Sequence, residues 1–220
     1  MITDYSIQAV AINAIPLIFA ITIHEAAHGY AARRFGDNTA YMLGRVSLNP
    51  AKHIDPVGTI LIPLALILAG SPFLVGYAKP VPVNFGRLRN PRIDSIWVAL
   101  AGPGSNFFQA LIWAVLLILL VGFGIDEKFF IAMAQAGILW NLGLLVFNLF
   151  PIPPLDGGRI LASLLPTRQS IAFGKLEPWG FFIVLGLVFT GVIGALWMEP
   201  LMAFFRGAIY LLTYPLQMLF

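Results

Sequence analysis

Two of the chain's three histidines stand in one short run, His24-Glu-Ala-Ala-His28. On an α-helix, residues four apart lie about 40° from each other around the axis. Both imidazoles then point the same way, at a spacing that suits one Zn2+ held at about 2.0–2.1 Å by each. Glu25 falls about 60° from His28 on the same helix. It can reach a water activated by the metal without being a ligand. Two ligands plus a general base is the working logic of HExxH in metalloproteases. The run lies in an otherwise apolar stretch, where burying His and Glu costs a few kcal/mol each, so chance is a poor account of it. The small neighbours Ala26, Ala27, Gly29, Ala31 and Ala32 let other helices approach closely.

A catalytic zinc takes a third protein ligand and keeps one position open. Among the histidines only His53 is left to supply it. The other candidate is a carboxylate, Asp156, in Phe147-Asn-Leu-Phe-Pro-Ile-Pro-Pro-Leu-Asp-Gly-Gly-Arg-Ile160. Taken alone, Asp156 reads best as the N-cap of a helix over 157–165. Beside an incomplete two-histidine site it reads as a ligand, and the two roles are compatible. Gly157 and Gly158 give the backbone room for a close turn there.

The elements that must position these residues are membrane segments. The 220 residues are 59% hydrophobic and only 10% charged, and the mean hydropathy is +0.87. A soluble domain carries about 25% charged residues, so lipid is the main solvent. There are no cysteines, which excludes disulfides and thiolate metal sites. The net charge of +3 is small, and the basic residues sit in short loops between apolar runs. That pattern suits a membrane surface and argues against nucleic acid. The N-terminal run lacks a basic leader and continues into the HEAAH motif, unlike a cleavable signal.

Six hydrophobic segments are expected: 7–32, 57–74, 93–123, 129–150, 179–197 and 201–220. Of the 13 Lys and Arg residues, all but Lys128 and Arg206 lie between the first and third segments or after the fourth. The positive-inside rule puts those regions in the cytoplasm. A full crossing by 57–74 would carry Lys79, Arg87, Arg89 and Arg92 to the wrong side, so this segment is expected to be re-entrant, broken near Pro63 or Gly70. The same topology brings the end of the first segment and the stretch after the fourth, with Asp156, to one membrane face. Residues 76–86, with Pro80 and Pro82 flanking valines, predict a small β or extended element. The expected fold is an all-α polytopic membrane protein with that one extended element. It forms a single domain over 1–220, with a catalytic core at about 7–165 and C-terminal membrane segments at about 177–220.

Three motifs in this order, His24-Glu-Ala-Ala-His28, Ala101-Gly-Pro-Gly-Ser-Asn106, and Asn148-Leu-Phe-Pro151 through Asp156-Gly-Gly-Arg159, resemble the site-2 protease family of intramembrane zinc metalloproteases. The resemblance covers roughly residues 7–165. No PDZ-like insertion interrupts the segments and no CBS-like tail follows them, which is similar to a compact prokaryotic branch. The resemblance implies zinc ligands at His24, His28 and Asp156, with Glu25 as catalytic acid/base. It also implies that Asn148 helps hold the substrate or the developing oxyanion, a role that competes with plain interhelical hydrogen bonding. Asn106 and His53 are candidate substrate contacts, against packing for the first and an ordinary loop position for the second.

The expected reaction is hydrolysis of a peptide bond within or near transmembrane segments of other membrane proteins, in regulated intramembrane proteolysis. Glu25 takes the proton of the attacking water and later delivers it to the leaving amine. A shielded helical bond must unwind first, and an extended substrate could pair with an exposed edge, for which Tyr77 to Asn84, with Val81 and Val83, is the candidate. The expected location is the inner (cytoplasmic) membrane, with the site toward the cytoplasm and the bilayer and transmembrane substrates as partners. The alternatives are a membrane metal-binding or transport protein, or a catalytically inactive member of the family. A transporter would show paired intramembrane charges or inverted repeats, and neither is visible.

Overall fold

The computed structural model describes residues 7–62, 65, 68 and 76–220. Helix α1 runs Ile7–Arg34 and contains no acidic or basic residue before His24. Lipid offers no partner for free backbone groups, so a long apolar run closes all its hydrogen bonds as a helix. Arg33 and Arg34 in its last turn favour that helix end electrostatically. The chain then turns at Gly36, with φ +114, where a side chain would be strained and would meet Arg89. A short helix α2 covers Thr39–Met42.

Helix α3, Pro91–Gly122, and helix α4, Lys128–Asn148, follow the extended region. Pro91 occupies the first helical position of α3, where its missing N–H costs nothing. Helices α1, α3 and α4 pack pairwise on one another and form the bundle that carries the site. Ala110, Ala114, Leu142, Leu145, Val146 and Ile209 make the main buried cluster.

Beyond α4 the chain forms α5 (Asp156–Leu164), α6 (Thr167–Gly174), α7 (Glu177–Phe189) and α8 (Glu199–Gln217). Arg92 at the start of α3 donates to the carbonyls of Ser163, Leu164 and Leu165 at 2.9–3.2 Å. Those donors satisfy the orphan carbonyls at the end of α5 and dock it on the bundle.

Among the described residues, four helices are long and apolar enough to cross a membrane: 7–34, 91–122, 128–148 and 194–217. The bent pair α6–α7, at 68°, makes a fifth if it counts as one span. The expected segment 179–197 is divided. Helix α7 has 13 residues, about 20 Å, short of the roughly 30 Å hydrocarbon core. The π-helical turn Gly194–Met198 belongs to the last span. Both flanks of α7 touch one end of the bundle. A Cβ on Gly180 would overlap Pro153, and the Trp197 indole N–H donates to the Val146 carbonyl at 2.8 Å.

The expected re-entrant segment 57–74 lies largely outside the described residues, and its start forms a π-helical turn, Pro56–Leu61. The expected β element is corrected: the described residues contain no strand, and 76–84 is irregular backbone. Pro80 and Pro82 have no N–H to give a ladder. The N–H groups of Tyr77, Lys79, Val81 and Asn84 go to Gly58 O, His53 O, Glu25 Oε2 and Asp37 Oδ2. Distant groups hold the segment where a neighbouring strand would otherwise do so.

Candidate metal centre

One turn of α1 places His24 Nε2 3.0 Å from His28 Nε2. Asp156 Oδ2 stands 3.4 Å from each of these nitrogens. All three residues are buried or nearly so. Their ligand atoms form the one group of three or more His, Cys, Asp or Glu among the described residues that could hold a metal ion.

The donor set fits zinc. His24 Nδ1 lies 2.6 Å from Asn106 Oδ1, and His28 Nδ1 lies 2.7 Å from the Val98 carbonyl. Both of those oxygens can only accept, so each Nδ1 carries the hydrogen and each Nε2 turns a lone pair into the site. Asp156 Oδ2 is buried and has no hydrogen-bond partner. Three acceptors facing one point repel unless a cation lies between them. A tetrahedral zinc with bonds of about 2.0–2.2 Å spaces its ligands about 3.3 Å apart, which matches the three separations.

Glycines make this approach possible. A Cβ on Gly102 of α3 would sit 2.6 Å from His24 Cε1 and Nε2 and would overlap His28 Nε2. A Cβ on Gly157 would lie 2.6 Å from the Phe150 carbonyl oxygen and overlap that of Leu149, and one on Gly158 would overlap Pro153. The start of α5 therefore lies directly on the 149–153 backbone, and Asp156 is folded back toward α1. Leu155, not Asp156, holds the N-cap position of α5.

Glu25 Oε2 accepts the Val81 N–H at 2.7 Å. Asn106 is fully buried, with its amide turned to His24, Ala20 and Asn141. His53 is buried in the 3-10 turn Pro50–His53, with Nε2 2.8 Å from the Ser47 carbonyl oxygen. Val83 packs on Ala32, Leu88 and Val98. Asn148, at the end of α4, donates to the Leu144 carbonyl of its own helix at 2.9 Å.

Residues 12–138 and 127–191 match the model of Peptidase family M50. A Bacillus subtilis (strain 168) protein, YwhC, is 38% identical over 93% of this chain and 92% of its own length. The chain belongs to peptidase family M50.

YwhC is provisionally named a zinc metalloprotease, as is Rip2 of Mycolicibacterium smegmatis, 32% identical over 86% of this chain and 70% of its own. Rip2 of Mycobacterium tuberculosis (strain H37Rv) is 31% identical over 79% of this chain and 65% of its own. No solved structure matches the chain. As an M50 peptidase with four or five helices able to span the bilayer, this protein is a multi-pass membrane zinc metallopeptidase acting on protein substrates.

Two site features of this M50 peptidase escape a reading by motif: the Val98 carbonyl behind His28, and Asn141 behind Asn106. Gly102 stands within the run Ala101-Gly-Pro-Gly-Ser-Asn106, but that run does not say that it lies against the imidazoles. Asn141 leaves a sequence signal as a lone amide in the apolar run Ile138-Leu-Trp-Asn-Leu-Gly-Leu-Leu.

Proposed function

We propose that this M50 peptidase cuts peptide bonds within or near transmembrane segments of other membrane proteins, as a single domain over 1–220. In this reading His24, His28 and Asp156 hold the zinc and Glu25 is the general acid/base. The observation that carries it is the convergence of two imidazole lone pairs and an unpartnered carboxylate oxygen within 3.0–3.4 Å. A zinc ion held there supplies Lewis acidity, polarising a carbonyl and activating a water.

Glu25 does the proton work. Val81 engages Oε2, so Oε1 is the oxygen left to take a proton from the attacking water and return it to the leaving amine. Asn148, near the end of α4 that leads to Asp156, serves to hold substrate or the developing oxyanion. Asn106 and His53 act by holding neighbours in place.

The reacting carbonyl arrives on an unwound stretch of substrate. Residues 77–84 line its path, with Val81 and Val83 as contacts. With no N–H on Pro80 or Pro82, and the N–H of Val81 and Asn84 engaged, this edge offers a substrate mainly carbonyl acceptors. Residues with backbone N–H groups exposed by helix-weakening Gly or Pro nearby suit it best.

The site faces the cytoplasm across an inner membrane. Support comes from Arg33 and Arg34, one to two turns beyond His28 on α1, and from the basic loops on the same side. The test is cleavage of a reporter membrane substrate by wild type and Glu25→Gln. The variant should lose about 10²–10⁴-fold in rate while keeping its zinc. Equal rates would end the assignment.

A further inference from the structure

We propose that Asn141 is a positioning residue for the zinc site: acting through Asn106, it fixes which nitrogen of His24 faces the metal. The proposal rests on the reading of His24 as a zinc ligand.

The two amides form a chain with one direction. Asn141 Nδ2 donates to the Gly137 carbonyl of its own helix at 2.9 Å. That turns Asn141 Oδ1 outward as an acceptor, and Asn106 Nδ2 donates to it at 2.9 Å. Asn106 Nδ2 also donates to the Ala20 carbonyl at 3.2 Å, so both of its amide hydrogens are engaged. Its Oδ1 is then the only group left for His24 Nδ1, 2.6 Å away. An amide oxygen has no hydrogen to give. The hydrogen must sit on His24 Nδ1, and the lone pair on Nε2.

Both asparagines are 0% exposed and lie inside spans, where no water can replace a missing partner. The chain joins α4 to α3 and α3 to α1, so all three bundle helices contribute to the setting of one imidazole. With Asn141 Oδ1 removed, Asn106 loses one of the two acceptors that orient its amide. A flipped Asn106 would present N–H to His24 Nδ1 and drive the ring to the other tautomer, with a hydrogen aimed into the site. Partners of this kind behind metal-bound histidines typically change metal affinity by 10–100-fold when lost.

The experiment measures zinc affinity of the full-length protein in detergent, by competition with a chromophoric chelator. Asn141→Leu should bind zinc at least about tenfold more weakly and alter the visible spectrum of the Co2+-substituted protein. Asn141→Asp in its neutral form offers one donor and one acceptor, and should stay within about threefold of wild type. Val146→Ala, a cavity at another fully buried position on α4, should leave affinity and spectrum unchanged although it lowers stability. Wild-type affinity and spectrum in Asn141→Leu overturn the proposal.

Should the leucine variant fail to fold, 15N NMR of the zinc-loaded wild type decides. Metal on Nε2 and hydrogen on Nδ1 of His24 support the chain, and the reverse overturns it. Zinc retained undiminished by His24→Ala would overturn the metal-centre reading itself. Zinc lost in His24→Ala but undisturbed in Asn141→Leu sinks the amide chain alone.

Discussion

The backbone N–H of Val81 donates to Glu25 Oε2 at 2.7 Å, tying the irregular segment 76–84 to the acidic residue of the HEAAH motif. Arg45 also grips this segment, donating to the carbonyls of Lys79 and Pro80 at 3.0 and 3.3 Å. The segment we propose lines the substrate path and the carboxylate we propose moves the proton are therefore held as one unit. A charge-assisted bond of this length fixes the carboxylate in one rotamer.

Val81→Pro removes that donor and keeps an apolar side chain. The expected outcome is a fall of about tenfold or more in turnover, from a less well-oriented base, with zinc content unchanged. Initial cleavage rates alongside zinc per chain check it. Undiminished turnover would show that Glu25 needs no anchor.

Gly102→Ala places a methyl group against both imidazoles. Overpacking of this kind costs about 1–3 kcal/mol, and here the strain falls on the site. Zinc binding should weaken by about tenfold or more. Gly104, two residues on, has open space at its Cβ position, so Gly104→Ala should bind zinc as wild type does. Identical affinities in the two variants would contradict the close contact of α3 with the histidines.

Removal of zinc should lower thermal stability as well as abolish cleavage, because the empty site leaves Asp156 Oδ2 buried and unpartnered beside two lone pairs. Anything bound only by the folded state stabilises it. Melting curves with chelator, then with zinc restored, should differ by several degrees in the wild type. In Asp156→Ala the difference should largely vanish, and persistence of the full shift there would place the ion elsewhere.

Asp37 governs an acid-sensitive contact outside the spans. Burial opposes its charge, but the Thr39 hydroxyl, the N–H groups of Thr39 and Asn84, and the charge of Arg87 more than compensate and hold its carboxyl below the ordinary value. A carboxyl depressed in the folded state stabilises the protein above its unfolded value, about 3.9, and loses that contribution as pH falls through the lower folded one. Asp37→Asn leaves an amide N–H facing the Asn84 N–H and should cost about 1–3 kcal/mol near neutrality. Unfolding measured between pH 3 and 7 should show a gap between variant and wild type that narrows toward the acid end. A gap independent of pH would contradict this.

The helices and the histidine pair were legible because their causes are local. Long apolar runs must close their own hydrogen bonds in lipid, so the expected segments 7–32, 93–123 and 129–150 end within two residues of the helices Ile7–Arg34, Pro91–Gly122 and Lys128–Asn148. Periodicity alone put His24 and His28 on one face of α1. Two features misled. The valine–proline stretch suggested a β element, yet its N–H groups are engaged by Glu25, Asp37 and two carbonyls remote in sequence. Residues 179–197 read as one span, yet the chain breaks after Phe189 and both flanks of α7 return to one end of the bundle.

By itself the sequence determined which side chains could ligate a cation and which helix face carries two of them, because side-chain direction along a helix follows from its own geometry. Only the tertiary structure decided that Asp156 Oδ2 stops 3.4 Å from both imidazoles, that Val81 meets Glu25, and that Asn106 and Asn141 stand in line behind His24. Those contacts join groups on different elements, and they depend on how closely Gly102 and Gly157 let backbone and side chain approach. That closeness is a property of the packed bundle, and no local run of residues contains it.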